Sequence, residues 1–324
     1  MSVFRCPRTT TATLIPSIEC IVTFPVLLHP GFHKTGTTFL QDVVFDDARN
    51  FIQPWSRPLI AEQMIDPHEL AFDVKTVRAR FLAEMPATSG KAIPVLSEEG
   101  LSGNPFNGAR ESAAMARKLR AVFDNAKVLI TVRAQRGILR ATYIQYLKAY
   151  GRRPPEQFFW PPRYPEFCAF DPDAYQFDRL VRFYVELFGA RNVLVLPQEL
   201  LRKDQAQFLH MLGAFVGRDL RDMRGGKEGR NVSPGAGGMR FLRIGNRFAP
   251  SAFNETAPPG ASWLLSTVFR SLGYRQSGLF SADVSRMAQL LDRFDGYYRE
   301  SNLLLQQYCP VDLAALGFDL PSNN

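Results

Sequence analysis

Short apolar runs alternate with amphipathic stretches along the chain, and this pattern predicts a parallel β-sheet covered by helices. Four runs are bounded by turn residues, at positions 26–28, 93–96, 128–132 and 193–196. Such short, almost entirely apolar runs are typical of strands buried on both faces of a sheet. Strands that alternate with helices predict an α/β fold whose ligands bind at the carboxyl ends of the strands.

Two helical patterns are clear enough to define. Apolar residues recur at helical spacing over residues 173–188, with Asp173 as the expected N-cap and Gly189 just past the end. A second pattern covers residues 208–216 and is closed by Gly217. Both segments are therefore expected to pack one face on the sheet.

Two stretches interrupt the alternation, and both have the composition of loops rather than of linkers between domains. Residues 151–170 are dense in proline and aromatic side chains, and residues 223–238 are dense in glycine. We therefore expect one domain over residues 25–324. Residues 1–24 are expected to form an N-terminal extension that is neither a signal peptide nor a membrane anchor.

Composition narrows the class of protein. The 324 residues are 46% hydrophobic and 12% aromatic, which is enough for a large core and excludes global disorder. Lys and Arg number 39 against 31 Asp and Glu, so the net charge of +8 predicts an anionic partner: nucleic acid, a membrane surface or a phosphorylated small molecule. The four cysteines have no ligand spacing, which favours a reducing, cytoplasmic location.

The segment HPGFHKTGTTFLQ, residues 29–41, follows the first predicted strand and leads into a helical pattern. A strand, a Gly-containing turn with lysine and hydroxyls, and a helix N-terminus together form an anion cradle. Nucleotide triphosphatases place the lysine directly after the second glycine of GxxxxGK[ST], whereas here Lys34 precedes Gly36. No apolar strand ends in an Asp that would hold magnesium, so no metal is expected. A P-loop kinase or triphosphatase stays as the alternative.

The same segment closely resembles the 5′-phosphosulfate loop of sulfotransferases that use 3′-phosphoadenosine 5′-phosphosulfate, particularly bacterial members with an HxGxHKTGTTxLQ loop. Further segments agree in order, so that the resemblance covers roughly residues 25–308: 96–101, 128–148, 188–201, 229–233 and 297–308. It implies a P-loop NTPase-like three-layer sandwich with a central parallel sheet. It also implies metal-independent, in-line transfer of a sulfuryl group to a hydroxyl or amine, with carbohydrate or glycolipid as the favoured acceptor.

The resemblance assigns roles within the loop. The backbone amides of Thr35, Gly36, Thr37 and Thr38, with the hydroxyls of the last two, would hold the 5′-phosphosulfate. Lys34 would stabilise the negative charge that develops on the oxygen bridging sulfur and phosphate. For His33, which precedes this set, contact with the phosphosulfate and bracing of the loop remain open alternatives.

Glu98 and Glu99 follow the strand at residues 93–96 and would lie at the ligand edge of the sheet. In the family, a catalytic His or Glu occupies a comparable place, so either carboxylate could remove the proton of the acceptor. The sequence does not choose between them. A solvated carboxylate pair with Ser97 as an N-cap is the alternative interpretation.

The 3′-phosphate of the donor is bound in the family by an Arg after the third strand and a Ser eight residues later. Arg133 matches the first, but position 141 is Ala, and Thr142 would have to supply the hydroxyl from a frame shifted by one residue. A late RxNxS element would approach the same phosphate, and its members here are Arg230, Asn231 and Ser233. The missing Ser also leaves a catalytically degenerate, nucleotide-binding member as an alternative.

Other features are less specific. Glu199 is interpreted as structural, and the aromatic insert with Phe158, Phe159 and Trp160 would form either an acceptor wall or a loop folded on the core.

Residues 131–155 carry +6 and residues 221–244 carry +4, so the basic charge is concentrated in the two segments assigned to the 3′-phosphate. Nucleic acid is not expected as a partner. The acceptor is expected to be a glycan, a lipid or a small molecule, and peripheral contact with an anionic membrane stays open. The sequence does not indicate the oligomeric state.

Overall fold

The computed structural model of the protein describes six stretches of the chain: residues 25–86, 92–162, 169–223, 236–251, 262–275 and 281–321. The predicted N-terminal extension lies outside the described residues. The same holds for Arg230, Asn231 and Ser233, so their assignment to the 3′-phosphate stays a prediction.

All five described strands are parallel and form one sheet. They are β1 (Leu27–His29), β2 (Phe51–Ile52), β3 (Ile93–Ser97), β4 (Lys127–Val132) and β5 (Val193–Pro197), in the spatial order β2-β3-β1-β4-β5. The strand β1 lies at the centre, paired with β3 on one side and β4 on the other. The carboxyl ends of β3, β1 and β4 therefore meet at one edge, where chain order changes direction.

Helices cover both faces of this sheet. In chain order they are α1 (Thr37–Phe39), α2 (Arg57–Ile60), α3 (Val74–Ala83), α4 (Ser112–Val122), α5 (Gln135–Lys148), α6 (Pro155–Phe159), α7 (Phe177–Phe188), α8 (Gln198–Lys203), α9 (Gln205–Val216), α10 (Ala236–Asn246), α11 (Ser262–Arg275), α12 (Ser281–Asp292) and α13 (Arg299–Gln306). Short π-helical segments follow α1 and α2, at Leu40–Val44 and Ala61–Ile65.

Two apolar clusters form the core, because strands alternate their side chains between the two faces of the sheet. Leu28, Leu96 and Val128 belong to a cluster with α4, α5 and α7, and Leu27, Val95 and Leu129 belong to a second cluster with α9. All six side chains are completely or almost completely buried. The predicted α/β class is confirmed: a central parallel sheet lies between two layers of helices. Within the described stretches, no helix is long and apolar enough to cross a membrane.

Two sequence predictions differ from the structure in detail. The helix expected from Asp173 begins at Phe177, because residues Pro172–Tyr175 form a separate 3₁₀ turn that is capped by the side chain of Asp171. Asp173 is therefore not an N-cap of α7; its carboxylate accepts hydrogen bonds from Gln176 and Tyr297 instead. The strand β2 was not predicted, since it is only two residues long.

A buried polar network lies under the turn that follows β1. The His29 ring contacts the Ser97 hydroxyl at 2.7 Å and the Thr131 hydroxyl at 3.2 Å, and Thr131 in turn contacts the hydroxyl of Thr35 at 2.7 Å. Burial lowers the pKa of His29 to about 4, so the ring is neutral at ordinary pH. Gly31 passes so close to this network that a Cβ there would lie 2.4 Å from the Thr131 hydroxyl oxygen. His29 therefore supports the turn from inside the core.

Candidate functional site

A cavity of about 700 Å³ opens at the carboxyl edge of the sheet, where the turn after β1 faces the helix α5. Basic and hydroxyl side chains dominate its walls. The lining residues are His33, Lys34, Gly36, Thr37, Thr38, Phe39, Arg57, Glu99, Arg133, Gly137, Arg140, Ala141, Ile144, Gln145, Lys148 and Gln198. The structure thus brings together Lys34, Gly36, Thr37, Thr38 and Arg133, which the sequence assigned to the donor site, and the candidate base Glu99.

The turn is held in an unusual backbone conformation. Lys34 has φ = 66° and Gly36 has φ = 92°, and the first of these is uncommon for a residue with a side chain. Three contacts fix it: the amide of Phe32 donates to the carbonyl of Thr131, the Thr35 hydroxyl donates to the carbonyl of Phe32 at 2.6 Å, and Nη1 of Arg133 donates to the carbonyl of Lys34 at 3.2 Å. The cost of the backbone conformation is therefore offset by neighbours in β4 and after it.

Several polar groups of this turn are left without a partner. None of the backbone N–H groups from residue 35 to residue 38 donates to a group within the described stretches. The Nε2 atom of His33 is buried and has no hydrogen-bond partner in the same part of the chain. Buried polar groups are normally satisfied, so this arrangement fits an anion that would accept from the turn and from the N-terminus of α1.

The charged side chains that line the cavity are mostly basic, so its electrostatic potential is positive. Burial lowers the pKa of Lys34, and the nearby charges of Lys148, Arg57 and Arg133 lower it further, against the opposing effect of Glu99. A lysine among so many cations is destabilised in its charged form, and a bound anion would relieve that destabilisation. Burial also lowers the pKa of His33, so its ring is neutral at ordinary pH.

The two candidate bases have different surroundings. Glu99 lines the cavity and accepts a hydrogen bond from the hydroxyl of Thr37, whereas Glu98 does not line it. Arg57 joins them: its Nε donates to Glu98 at 2.5 Å and its Nη2 donates to Glu99 at 2.7 Å. Burial alone would raise the pKa of Glu99, but the Thr37 hydrogen bond and the Arg57 charge outweigh it and hold the pKa below its usual range. Glu99 is therefore a carboxylate in contact with the cavity.

One face of α5 supplies the opposite wall. Positions 137, 140, 141, 144, 145 and 148 are separated by three, four or one residues, so they lie on one side of the helix. Gly137 allows the Arg133 guanidinium to lie against the first turn, since a Cβ there would be 2.9 Å from the Nε atom of Arg133. Of the six basic residues that gave residues 131–155 their charge of +6, three line the cavity: Arg133, Arg140 and Lys148.

Thr142 does not reach the cavity, which corrects the prediction that it substitutes for the missing Ser. One residue along a helix turns the side chain by about 100°. Thr142 is consequently buried, and its hydroxyl is 2.5 Å from the hydroxyl of Tyr175 in the core. The side chain that faces the cavity at this height is Ala141.

The remaining features lie in the core or support it. Glu199 accepts a hydrogen bond from the amide of Ala134 at 3.2 Å and so holds the start of α5, in agreement with a structural role. Phe158 and Phe159 are buried and pack on Tyr143 and Phe170, which is the alternative in which the aromatic insert folds on the core. The insert's Tyr164 and Phe167 lie outside the described residues.

Two residues of the cavity had no role in the sequence interpretation. Arg57 comes from α2, directly after the unpredicted strand β2, and no local pattern indicates that it reaches Glu99. Gln198 follows β5 and its Oε1 atom is buried without a partner in the described part of the chain. Its position at the end of a predicted strand could have indicated it. Among the described residues, no three His, Cys, Asp or Glu side chains group as metal ligands would.

No protein-family model and no curated protein matches the chain. Solved structures with a similar course of the chain include a sulfotransferase from Alicyclobacillus acidocaldarius, with 14% identity and a TM-score of 0.49 over 81% of this chain and 99% of that one. The sulfotransferase domain from the curacin biosynthetic pathway has 12% identity and a TM-score of 0.42 over 83% and 98%. Mouse sulfotransferase SULT7A1 complexed with PAP has 13% identity and a TM-score of 0.38 over 88% of each chain.

Proposed function

We propose that the protein is a sulfotransferase that moves a sulfuryl group from 3′-phosphoadenosine 5′-phosphosulfate to a hydroxyl or amine. The observation that carries the proposal is the basic cavity built on the turn after β1, with unpaired amides at residues 35–38 and Lys34 among its lining residues. A donor with two phosphate groups and a sulfate matches this concentration of positive charge. Carbohydrate or glycolipid is the proposed acceptor, and the proposed location is cytoplasmic.

In the proposed reaction, separate residues bind the donor, stabilise the charge on the leaving oxygen and take up the proton of the acceptor. The amides of residues 35–38 and the hydroxyls of Thr37 and Thr38 hold the phosphosulfate, and Arg133 approaches the 3′-phosphate. As the acceptor oxygen forms its bond to sulfur, the bond from sulfur to the bridging oxygen breaks, and Lys34 stabilises the charge left on that oxygen. The acceptor proton passes to the carboxylate of Glu99, which is ionised and faces the cavity. His33 contacts the sulfuryl oxygens through its unpartnered Nε2.

One observation favours a P-loop kinase or triphosphatase as the second candidate. The hydroxyl of Thr37 and the carboxylate of Glu99 are hydrogen-bonded, and a hydroxyl beside a carboxylate is the pair that such enzymes use to hold magnesium. Arg57 occupies the second oxygen of Glu99, and Lys34 precedes Gly36 rather than following it. Both features fit the sulfotransferase better. The Arg57 cation already neutralises the carboxylate, and the lysine is not where the GxxxxGK[ST] loop of kinases and triphosphatases places it.

Ligand-induced stabilisation separates the two candidates. We expect adenosine 3′,5′-bisphosphate to raise the melting temperature, since a ligand at a hundredfold excess over its Kd adds about 2.7 kcal/mol to the free energy of unfolding. The measurement is a thermal-shift titration, run in parallel with ATP and magnesium. Stabilisation by ATP with magnesium but not by the bisphosphate would favour the kinase or triphosphatase. No stabilisation by either nucleotide would contradict a nucleotide site in this cavity.

The substitution Ala141→Ser should increase the affinity for adenosine 3′,5′-bisphosphate by about fivefold, because it places a hydroxyl on the cavity face of α5 near Arg133, where one hydrogen bond contributes about 1 kcal/mol. Isothermal titration calorimetry measures the change. The matched control is Thr142→Val, which should lower the melting temperature by removing the contact with Tyr175 and leave the affinity unchanged. An affinity that falls in Thr142→Val and stays constant in Ala141→Ser would show that Thr142 binds the phosphate after all.

A further inference from the structure

A smaller cavity, of about 200 Å³, lies beside the helix α5 on a side that the proposed reaction does not use. Its walls come from α5, α6, α10 and α12, and they include Tyr143, Met239, Arg240, Arg243, Arg286 and Met287. We call it the arginine pocket. It shares no lining residue with the cavity that contains Lys34, although Tyr143 follows Arg140 of that cavity by three residues on α5. The two cavities therefore lie on neighbouring sides of one helix.

Apolar side chains form the floor of the arginine pocket. Met239, Met287 and Tyr143 are each at most 5% exposed. An apolar cavity of about 150 Å³ can hold benzene, so this pocket has room for a ring of that size with a polar group attached. Arg240 and Arg286 are exposed, so the pocket is open to solvent on their side.

The three arginines come from two helices and converge on this floor. Arg240 and Arg243 are three residues apart on α10, where such side chains are neighbours, and Arg286 comes from α12. The hydroxyl of Tyr143 accepts a hydrogen bond from Arg243 and donates to the carbonyl of Arg153 at 3.1 Å.

The other two arginines differ in how they are held. The Nε atom of Arg286 donates to the carboxylate of Glu156 at 2.5 Å, which fixes its guanidinium at the side of the pocket. Arg240 has no ion pair or hydrogen bond with any residue in the described stretches. Two of the three cations are thus positioned by neighbours, and the third is available to a ligand.

The pocket has an excess of positive charge. None of its lining residues is acidic, and in the described part of the chain Glu156 is the one carboxylate that bonds to any of its arginines. Three guanidinium groups against one carboxylate leave two positive charges in excess. Arg240 and Arg243 also repel each other, because like charges one turn apart on a helix are unfavourable. An anion with two negative charges would neutralise the pocket.

A phosphate monoester matches the pocket better than other common anionic groups. It has three terminal oxygens and carries nearly two negative charges above its second pKa of about 6. Guanidinium groups bind such oxygens bidentately. A sulfate monoester also has three terminal oxygens but only one charge, and a carboxylate has two oxygens and one charge. Both would leave the pocket with a net positive charge.

We propose that the arginine pocket binds a small phosphate monoester whose apolar body is about the size of a benzene ring. Arg240, Arg243 and Arg286 would bind the phosphate oxygens, and the apolar body would pack on Met239 and Met287. The proposal concerns a site apart from the donor cavity, and it does not depend on the sulfotransferase activity.

The two methionines provide a local measurement. The chain has eight methionines; Met239 and Met287 line the arginine pocket, and none lines the cavity that contains Lys34. In protein labelled with ¹³C at the methionine methyls, phenyl phosphate at about pH 8 should shift both signals along one binding curve, because its ring lies against them. The signals of Met64 and Met115, which are buried in the core, should stay in place. Substituting each pocket methionine with leucine assigns the signals.

Two further ligands test the chemistry. Phenyl sulfate should bind about fivefold more weakly than phenyl phosphate, because it has one charge instead of two. Inorganic phosphate should bind about tenfold more weakly, because it has no ring to bury on the methionines. Phenyl sulfate that binds as tightly as phenyl phosphate would contradict the match of charge. Inorganic phosphate that does so would contradict the role of the apolar floor.

A pair of variants tests the arginines. Arg240→Gln should weaken the binding of phenyl phosphate by about tenfold through the loss of charge-assisted hydrogen bonds, and it should leave the signals of Met64 and Met115 unchanged. The matched control is Arg191→Gln, at an exposed arginine in the 3₁₀ turn Ala190–Asn192, and it should leave the affinity unchanged. Equal weakening in both variants would show an effect of net charge alone. Signals of Met239 and Met287 that do not move at millimolar phenyl phosphate would overturn the proposal.

Discussion

The substitution Lys34→Ala should reduce kcat for sulfate transfer by about 10² to 10³, which is the typical effect of removing one group that stabilises charge only in the transition state. The affinity for adenosine 3′,5′-bisphosphate should change little, because the amides of residues 35–38 and Arg133 remain in place. The backbone of the turn should also persist, since Lys and Ala pay the same cost for φ = 66° and the three contacts that fix the turn involve no Lys34 side-chain atom.

The matched control for this variant is Lys148→Ala, which removes a cation from the same cavity. Lys148 lowers the pKa of Lys34, so its removal should raise that pKa and move the alkaline limb of the kcat profile to higher pH. The sign follows because Lys34 acts in its charged form, which is lost as pH rises through its pKa. Equal losses of kcat in both variants would show that the cavity needs positive charge in general and not a lysine at position 34.

The fold was predictable from the sequence because its signals are local. Each of the four longer strands contains a short, almost entirely apolar run bounded by turn residues, and Gly189 and Gly217 end their helices where the pattern does, with φ of 85° and 71°. The start of α7 was not predictable in the same way. Asp171 and Asp173 are both good caps, and the contacts of Asp173 with Tyr297, more than a hundred residues away, decide which one begins a turn.

The same distinction applies to the site: residues that follow predicted strands could be expected there, and residues placed by long-range packing could not. The turn after β1 and Arg133 follow predicted strands, so their meeting at one edge of the sheet could be expected. The position of Arg57 could not be expected, because it depends on the path of the chain between β2 and α2. No local sequence pattern shows that this path brings Arg57 to Glu99. The orientation of α5 had a similar uncertainty: the sequence left Ala141 and Thr142 open, and the packing of Thr142 on Tyr175 rotates Ala141 into the cavity.

The substitution Glu99→Gln should reduce kcat by about 10² to 10⁴, the range expected for loss of a general base. Gln has nearly the same shape and still accepts from the hydroxyl of Thr37, so the turn after β1 should be preserved. The matched control is Glu98→Gln, which loses a contact with the same Arg57 but lies outside the cavity, and its kcat should stay within a few fold of the unsubstituted enzyme. Steady-state kinetics with adenosine 3′,5′-bisphosphate binding as a check on integrity would compare them.

The pH dependence distinguishes a base from a residue that only shapes the cavity. The Thr37 hydrogen bond and the Arg57 charge hold the pKa of Glu99 below its usual range, against the effect of burial, so the acid limb of the profile should lie at lower pH than for an ordinary glutamate. Arg57→Gln removes one of the influences that lower this pKa, and the limb should then move to higher pH, because the active carboxylate is lost as pH falls through the pKa. An acid limb that stays in place in Arg57→Gln and persists in Glu99→Gln would assign the proton to another group. Arg57 would then serve the anionic donor, and His33, whose buried Nε2 has no partner among the described residues, would be the next candidate for the base in place of the sulfuryl contact proposed above.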